Sequence, residues 1–568
     1  MIQGEWVEQR NWGDQGAHAK AFIVLYSLFI ISLAAWRLSV GVPFGSYDGL
    51  YYMNWSRNIL EGNGYNTPVI SPIQCRNKAP QEPPFKFRGI NNKPLFPHFE
   101  ALVFKVLGPS GRSAFLAVYV FYAAAGAVFF FLALRAWGPA AAWTGTVLFQ
   151  SSDIIMSFAP SAHADSSFIF WVASAGLITF LAPRDKAWIG GVFAGAACLT
   201  RPNGLLIAFS LAVAVGLREL FTQGPLKQRF MRLGLYCLPI AAANVYMLSF
   251  NYIYYGGPLW YYDYGGREFQ SGDVGEYHVY YDSYAGEKTI AAQKTPLLLK
   301  LIPSYGFIKG LLESQWVFIQ ERLSLDPCRS GLFLAGALWA LFISREPRIL
   351  WLLGAGFGVF FLQFSVNRLI VNDLRTIIWM VPFLAAAAGI MISDLIGMIQ
   401  KLRATSLKLA AGLALGAVFL AASMKFSGMF MSGAYAPKNL EVIHDQAEWL
   451  DEAGRLEGYF SPASVVVGKA PLEILIHWRT KVFALELPGD FRSLLGCLKK
   501  LNTDDFYQIT TVSEDIFKPR DRECVWDSFA EAAPYTSLVH QNRYFCLYKL
   551  DIKSVRRDFA AQMASIPN

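Results

Sequence analysis

Apolar residues in this chain come in long uninterrupted runs separated by short polar stretches. A run of about 20 apolar residues spans the hydrocarbon core of a bilayer at about 1.5 Å rise per residue. Such runs lie at 21–36, 114–134, 138–152, 164–182, 187–200, 203–217, 233–254, 330–344, 348–366, 376–397 and 409–427, which predicts about eleven helical spans. The runs 138–152, 187–200, 203–217 and 330–344 are short for the task. After residue 435 the pattern changes. Lys438–Gly454 places Leu440, Ile443, Ala447 and Leu450 at helical spacing, which predicts an amphipathic helix. Strand-like runs follow at Ser464–Val467, Lys481–Leu487, Phe506–Val512 and Tyr544–Leu550. The predicted fold class is an α-helical polytopic membrane protein with a transmembrane domain over 1–430 and a small C-terminal α/β domain over 431–568.

Composition and charge sharpen this. Of 568 residues, 54% are hydrophobic and only 16% charged, against about 25% charged in ordinary soluble domains. A disordered chain, a collagen-like fibre and a disulfide-stapled mini-protein are excluded, and a soluble enzyme is disfavoured. The net charge of +8 does not point to nucleic acid, because Lys and Arg fall in short clusters between apolar runs, as orientation signals do. Arg135, Arg184, Lys186, Arg218, Lys227, Arg229, Arg232, Arg345, Arg348, Lys401, Arg403 and Lys408 share one set of connections. The alternate set holds only Arg201, Arg368 and Arg375. The richer set is expected in the cytoplasm, which gives an N-in, C-out chain. The loops 37–113 and 255–329 and the tail after 430 are then extracytoplasmic.

The first run has no strongly basic lead, since Glu5, Glu8 and Asp14 offset Arg10 and Lys20, and no small-residue cleavage pattern follows it. It is expected to be an uncleaved span. The seven Cys show no Cys-x-x-Cys spacing, so neither a zinc site nor a redox motif is indicated. Cys75, Cys328, Cys497, Cys524 and Cys546 are placed outside, where a bridge is permitted, but the sequence does not name a pair. The spacings Gly191/Gly195, Gly354/Gly358 and Gly412/Gly416 read as helix–helix packing.

The first outer loop, Gly45-Ser-Tyr-Asp-Gly-Leu-Tyr-Tyr-Met-Asn-Trp-Ser-Arg-Asn-Ile-Leu-Glu-Gly-Asn-Gly-Tyr65, carries the most chemistry. Asp48 lies about a dozen residues beyond the first span and opens a helical pattern (Leu50, Met53, Trp55, Ile59, Leu60) that Gly62-Asn-Gly64 stops. A carboxylate there meets both water and a lipid-anchored substrate; the alternative is a helix N-cap. Arg57 reads equally as a surface partner of its helix. Asn54-Trp-Ser56 matches a glycosylation acceptor, a motif common by chance.

Tyr47-Asp-Gly-Leu-Tyr-Tyr…Asn58-Ile-Leu-Glu-Gly-Asn-Gly-Tyr65 resembles the first-loop signature of the GT-C membrane glycosyltransferases. The likeness is to the branch of protein O-mannosyltransferases and aminoarabinose transferases, which use polyprenyl-phosphate sugars. Asn92-Lys-Pro-Leu-Phe-Pro97 resembles the family's Lys-Pro segment, and Ala159-Pro-Ser-Ala-His-Ala-Asp165 its second acidic position. Leu199-Thr-Arg-Pro-Asn-Gly204 resembles its Arg-containing turn, and Asn372-Asp-Leu-Arg375 through Pro382 the entry to a late span, with Thr376 in place of the aromatic. His477-Trp-Arg-Thr-Lys-Val-Phe-Ala-Leu-Glu-Leu-Pro488 is similar to part of the outer tail domain. The matches keep family order over nearly the whole chain.

The resemblance implies that Asp48 is the catalytic base and that Lys93 binds the lipid phosphate. Chemistry supports the first independently. A polyprenyl phosphate leaves as a stable anion, so one carboxylate that takes the acceptor's proton suffices, worth roughly 10²–10⁴-fold. A single displacement inverts the sugar's anomeric centre. The family's usual acidic residue after that Asp is Gly49 here, which weakens the protein-mannosylating assignment. The leaving phosphate needs fixed positive charge, for which Lys93, Arg201 and Arg375 are the candidates; a snorkelling anchor is the alternative for Arg201 and Arg375. Asp165, His163 and Tyr47 are candidates to orient donor or acceptor, and Asp153 reads as an interface residue. His163 and Asp165 form a His-x-Asp pair that a divalent Mg or Mn ion could use, although two ligands are too few for an oxygen-rich shell. No cofactor is demanded. The Tyr-rich loop 255–329 reads first as an interfacial aromatic belt and second as a sugar platform.

The expected function is an inverting transfer of a sugar from a polyprenyl-phosphate donor to a hydroxyl of a protein, lipid or glycan acceptor, with no nucleic-acid partner. The expected location is a bacterial cytoplasmic (inner) membrane with the site on its periplasmic face. A lipid-linked glycan ligase or polymerase is the nearest alternative. A transporter is the more distant one, since no repeated halves with mid-membrane ionisable residues are seen.

Overall fold

The computed structural model of the chain describes residues 12–40, 47–64, 66–67, 69–70, 82–83, 87–88, 94–152, 155–156, 164–201, 203–255, 327–367, 378–424, 450–468, 472–486, 491–511, 531–542 and 544–566. Helix α1 (Trp12–Val40) leads to α2 (Tyr47–Leu60), α3 (Leu95–Leu107), α4 (Gly111–Trp137), α5 (Pro139–Gln150), α6 (Asp165–Leu181), α7 (Ala187–Thr200), α8 (Asn203–Leu220) and α9 (Leu226–Tyr255). The later helices are α10 (Pro327–Trp339, continued by a π turn Ala340–Ser344), α11 (Pro347–Asn367), α12 (Val381–Gln400) and α13 (Thr405–Met424).

Each apolar run of the sequence coincides with one of these helices. Among the described residues, six stretches are long and apolar enough to cross a membrane: Gln15–Ser39, Gly111–Trp137, Asn203–Leu220, Leu226–Phe250, Pro327–Ser344 and Ile378–Gln400. Helices α5 and α7 have 12 and 14 residues, about 18 and 21 Å. That is less than the roughly 30 Å of hydrocarbon, so the runs 138–152 and 187–200 are not unaided crossings. The α4–α5 break has a local cause, because Gly138 takes φ 90° and a proline stands at the start of α5. The loop expected at 255–329 lies outside the described residues except for Tyr255 and its last three. The helix expected at 438–454 is described only from Leu450.

The bundle is held by close backbone approach at small residues. A Cβ on Gly195 of α7 would come within 2.9 Å of the Pro239 carbonyl in α9, and one on Gly389 of α12 within 2.7 Å of the Ala141 carbonyl in α5. The Gly191/Gly195 spacing is thus a packing face. Gly412 and Gly416 meet nothing within 4 Å, so that pair does not pack a helix among the described residues. On α1, Phe22 stacks on Phe130 with ring centroids 3.7 Å apart, and Tyr26 Oη donates to the Ala123 carbonyl at 2.9 Å. The other face of α1 leaves Ile23, Val24, Leu25, Leu28 and Ile31 more than half exposed, the apolar exterior that a lipid solvent requires.

The tail builds a six-stranded sheet in the order β2-β5-β4-β6-β8-β7. Strands β4 (Val465–Gly468), β5 (Phe483–Glu486), β6 (Phe506–Thr511) and β8 (Phe545–Leu550) match the four runs read from the sequence; β7 (Thr536–Gln541) was not among them. Helices α14 (Leu472–Thr480) and α15 (Phe491–Lys500) connect the parallel strands β4, β5 and β6. β1 (Asn66–Thr67) and β3 (Phe87–Arg88) form a separate antiparallel pair. The edge strand β2 (Val69–Ile70) belongs to the first loop and pairs in parallel with β5, Val69 opposite Ala484.

Alternation along each strand sends Val465, Val467 and Leu485 toward Phe491, Leu494 and Leu498 of α15. Val466, Ala484, Tyr507 and Ile509 face the other way and share a core with Leu50 and Met53 of α2, Phe104 of α3 and Ala114 of α4. The tail sheet therefore uses first-loop helices as the second layer of its core. Cys328, Cys497 and Cys546 form no disulfide; Cys75 and Cys524 lie outside the described residues.

A polar lock sits at this junction. Arg57 is 6% exposed, not the surface partner that its position in the sequence also allowed. Its guanidinium donates to Asn54 Oδ1 at 3.3 Å, to the His477 carbonyl at 3.3 Å and to the Trp478 carbonyl, and lies 4.7 Å from the centre of the Trp478 ring. His477 Nδ1 stands 2.5 Å from the Val482 carbonyl. A carbonyl only accepts, so Nδ1 carries the proton and Nε2 accepts from Arg57 at 3.0 Å. Glu61 and Lys481 pair at 2.9 Å beside it. Asn54 is buried and donates to the Leu50 carbonyl, so the Asn54-Trp-Ser56 motif presents no acceptor.

The lock requires a neutral imidazole. Burial, reinforced by the Arg57 charge, pushes the His477 pKa down from 6.5 to about 3. Its contribution to stability is therefore complete above about 6.5 and lost as pH falls toward about 3. Hydrogen exchange across 47–60, corrected for intrinsic base catalysis, should show more opening over that window in the wild type and change little with pH in His477→Gln. Arg57→Ala should weaken the junction by about 1.5–3 kcal/mol at neutral pH, read by the same exchange.

Candidate functional site

The helices α2 and α3 place the first loop against one end of the bundle. Tyr47 and Asp48 are the first two residues of α2. Asp48 thus lies inside the first turn and not at the N-cap, where the unsatisfied N–H groups of a helix start favour negative charge. One turn later, Tyr52 is buried with Trp55 of α2, Phe96 of α3, Val118 and Phe121 of α4, and Ala164. Tyr52 meets Phe96 edge-on at 5.4 Å, and Phe121 meets Phe170 of α6 at 5.6 Å. Aromatic packing therefore runs from the helix that carries Asp48 to the residue just before Asp165.

Asp165 opens α6 and is 2% exposed. Arg201 follows α7 in an extended conformation, φ −147° and ψ 148°, and its Nη1 donates to Asp165 Oδ1 in an ion pair. The guanidinium also lies 5.9 Å from the Phe168 ring centre. Helices α6 and α7 run antiparallel, so the positive start of one lies beside the negative end of the other. An acid at the first and a base at the second each complement their own helix. Gly204 makes the turn into α8 feasible, because a Cβ there would collide with the backbone of Ala197 and Cys198.

The structure thus brings together Asp165 and Arg201 of the residues singled out in the sequence, and places Tyr47 and Asp48 at the start of a helix packed toward them. Lys93, Asp153, His163 and Arg375 lie outside the described residues. The proline of the Arg375 segment, Pro382, stands in the first turn of α12. Among the described residues no group of three or more His, Cys, Asp or Glu could hold a metal ion; Asp165 is engaged by Arg201.

Two groups escaped sequence reasoning. His477 was read only as part of a tail segment, and its contact with Arg57 spans 420 residues. Arg37, at the end of α1, is 2% exposed, and its Nε and Nη2 have no hydrogen-bond partner among the described residues. An arginine closing an apolar run was its only signal, and that pattern also fits a span-end anchor.

Removing one partner of a buried ion pair strands the other. Asp165→Asn or Arg201→Met alone should lower stability by about 3–5 kcal/mol, and the double substitution by clearly less than the sum, measured as a thermal-unfolding double-mutant cycle.

No protein-family model and no curated protein matches the chain in sequence. Solved structures do match in fold. ArnT from Cupriavidus metallidurans bound to undecaprenyl phosphate superposes with a TM-score of 0.53 at 14% identity, covering 93% of this chain and 98% of that one. The Archaeoglobus fulgidus oligosaccharyltransferase in its apo form gives 0.55 at 12% identity, covering 87% and 70%. AglB from the same organism, in complex with an inhibitory peptide and a dolichol-phosphate, gives 0.51 at 11% identity, covering 86% and 70%. The chain thus shares its overall fold with the ArnT and oligosaccharyltransferase structures.

Proposed function

We propose that the protein is an inverting glycosyltransferase that moves one sugar from a polyprenyl-phosphate donor to an acceptor hydroxyl at the extracytoplasmic, periplasmic face of a bacterial inner membrane. The observation that carries this reading is the placement of the Asp48 helix against the start of α6, where Asp165 and Arg201 pair, within a fold shared with a protein solved bound to undecaprenyl phosphate.

Asp48 takes the proton of the acceptor hydroxyl as that oxygen attacks the sugar C1. The new C1–O bond forms on one face while the C1–O bond to phosphate breaks on the other, so the anomeric centre inverts. The electron pair of the broken bond leaves on the polyprenyl phosphate. Lys93 supplies positive charge to that phosphate. Arg201, held in place by Asp165, presents its remaining N–H groups, and Arg375 is the third candidate. Fixed donors aimed at developing charge need no reorganisation during the reaction. Asp165 and His163 orient donor or acceptor.

Asp48→Asn should lower donor-dependent sugar transfer by at least about 10²–10⁴-fold with an unchanged melting temperature; turnover near wild type removes Asp48 as the base. Lys93→Ala should raise the KM for the lipid donor far more than that for the acceptor. Monophosphate and pyrophosphate donors compared side by side distinguish this transferase from a glycan ligase or polymerase.

A further inference from the structure

Glu100 lies in the middle of α3 and is 0% exposed. Its Oε2 is 2.6 Å from Ser56 Oγ on α2, and Ser56, itself 0% exposed, also places Oγ 2.8 Å from the Tyr52 carbonyl. A hydroxyl has one proton to give. The Tyr52 carbonyl only accepts, so the Ser56 proton belongs to that contact. The 2.6 Å contact then needs a proton of its own, and the carboxyl is the only group there that can bring one. The second carboxyl oxygen, Oε1, is buried with no hydrogen-bond partner among the described residues, tolerable for a neutral carbonyl and costly for half of a carboxylate. We propose that Glu100 is an uncharged carboxylic acid whose Oε2–H donates to Ser56, fastening α3 to α2 and so positioning the helix that opens with Tyr47 and Asp48. The positioning role rests on the transferase reading above; the protonation state does not.

The surroundings agree. On α2 the titratable side chains next to Ser56 in helical register are Tyr52, one turn before it, and Arg57, beside it in sequence, and Arg57 is committed to His477 and Trp478. On α4, Tyr119 donates to the Ile30 carbonyl and Tyr122 to the Gln150 carbonyl, while Arg112 and Arg135 stand near the two ends of that helix. From α7 the one titratable side chain is Cys198, which receives Asn244 Nδ2. On α3 itself, His98 Nδ1 donates to the Pro94 carbonyl at 2.6 Å, and Lys105 is exposed. Burial pushes the Glu100 carboxyl up from 4.5 to about 8, against the smaller opposite pull of the Ser56 hydroxyl. A raised value means the stabilisation is complete below about 4.5, declines as the unfolded chain's carboxyl ionises, and is lost as pH rises past about 8.

The test uses the full-length protein in lipid nanodiscs. Infrared spectra at pH 7 should show a protonated-carboxyl C=O band in the wild type that is missing from Glu100→Gln and fades above about pH 8. Its absence at pH 7 overturns the proposal. In hydrogen exchange over 47–60, corrected for intrinsic base catalysis, the wild type should open about tenfold more at pH 9 than at pH 7. Glu100→Gln, which keeps a neutral donor to Ser56, should not. Equal behaviour of the two proteins overturns the positioning role. Sugar transfer by Glu100→Gln should match wild type at pH 7 and persist further into alkali. If the wild type transfers no sugar while the infrared band is present, the transferase reading fails and the assignment of the proton stands.

Discussion

One contact ties the helix that opens with Tyr47 and Asp48 to the tail: the buried guanidinium of Arg57 against His477 and Trp478. The guanidinium is 6% exposed; carbonyls, an amide oxygen and an imidazole lone pair accept from its Nη1 and Nη2, while its Nε has no hydrogen-bond partner among the described residues. Those acceptors belong to α14, 420 residues away, so the contact ties the first loop to the tail. The edge strand β2 and the shared core of Leu50 and Met53 with Val466 and Ile509 repeat the constraint in backbone hydrogen bonds and apolar area. The tail is thus the second half of a clamp on α2.

On the bundle side, α2 and α3 rest on an aromatic wall that reaches Ala164 and Phe170. Behind it, Asp165 and Arg201 close the ends of two antiparallel helices. Charge in such a place is stabilised by helix ends and by its partner, so it stays fixed where a mobile surface pair would not. Under the proposed function, such fixed charge suits a barrier dominated by charge moving from an attacking hydroxyl to a leaving phosphate.

Buried polar groups in the first-loop region are solved in different ways. Arg57 stays charged and gives its Nη groups to acceptors. His477 gives up its charge, and its tautomer follows from the Val482 carbonyl. Glu100 has Ser56 as its one hydrogen-bond partner among the described residues, and burial works against its ionisation. The outcome in each case follows from how many partners the neighbouring helices supply.

How much of this was legible beforehand depends on the range of the interaction. The helices are written in local apolar runs, the strands β4, β5, β6 and β8 in short β-branched and aromatic stretches, and the acid at Asp165 and base at Arg201 in their places at span ends. Those signals need only neighbours along the chain. The missed strand β7 has an irregular burial pattern and a register shift between Leu538 and His540, so its period was broken. The short α5 and α7 read as spans because composition reports apolarity without reporting where a helix stops. The pairing of Arg201 with Asp165, the neutral His477, and the Ser56–Glu100 bond between helices 44 residues apart were decided by tertiary packing alone. Each depends on which acceptor or hydroxyl arrives from a distant segment and on how much water it displaces, and neither quantity exists until the chain has folded.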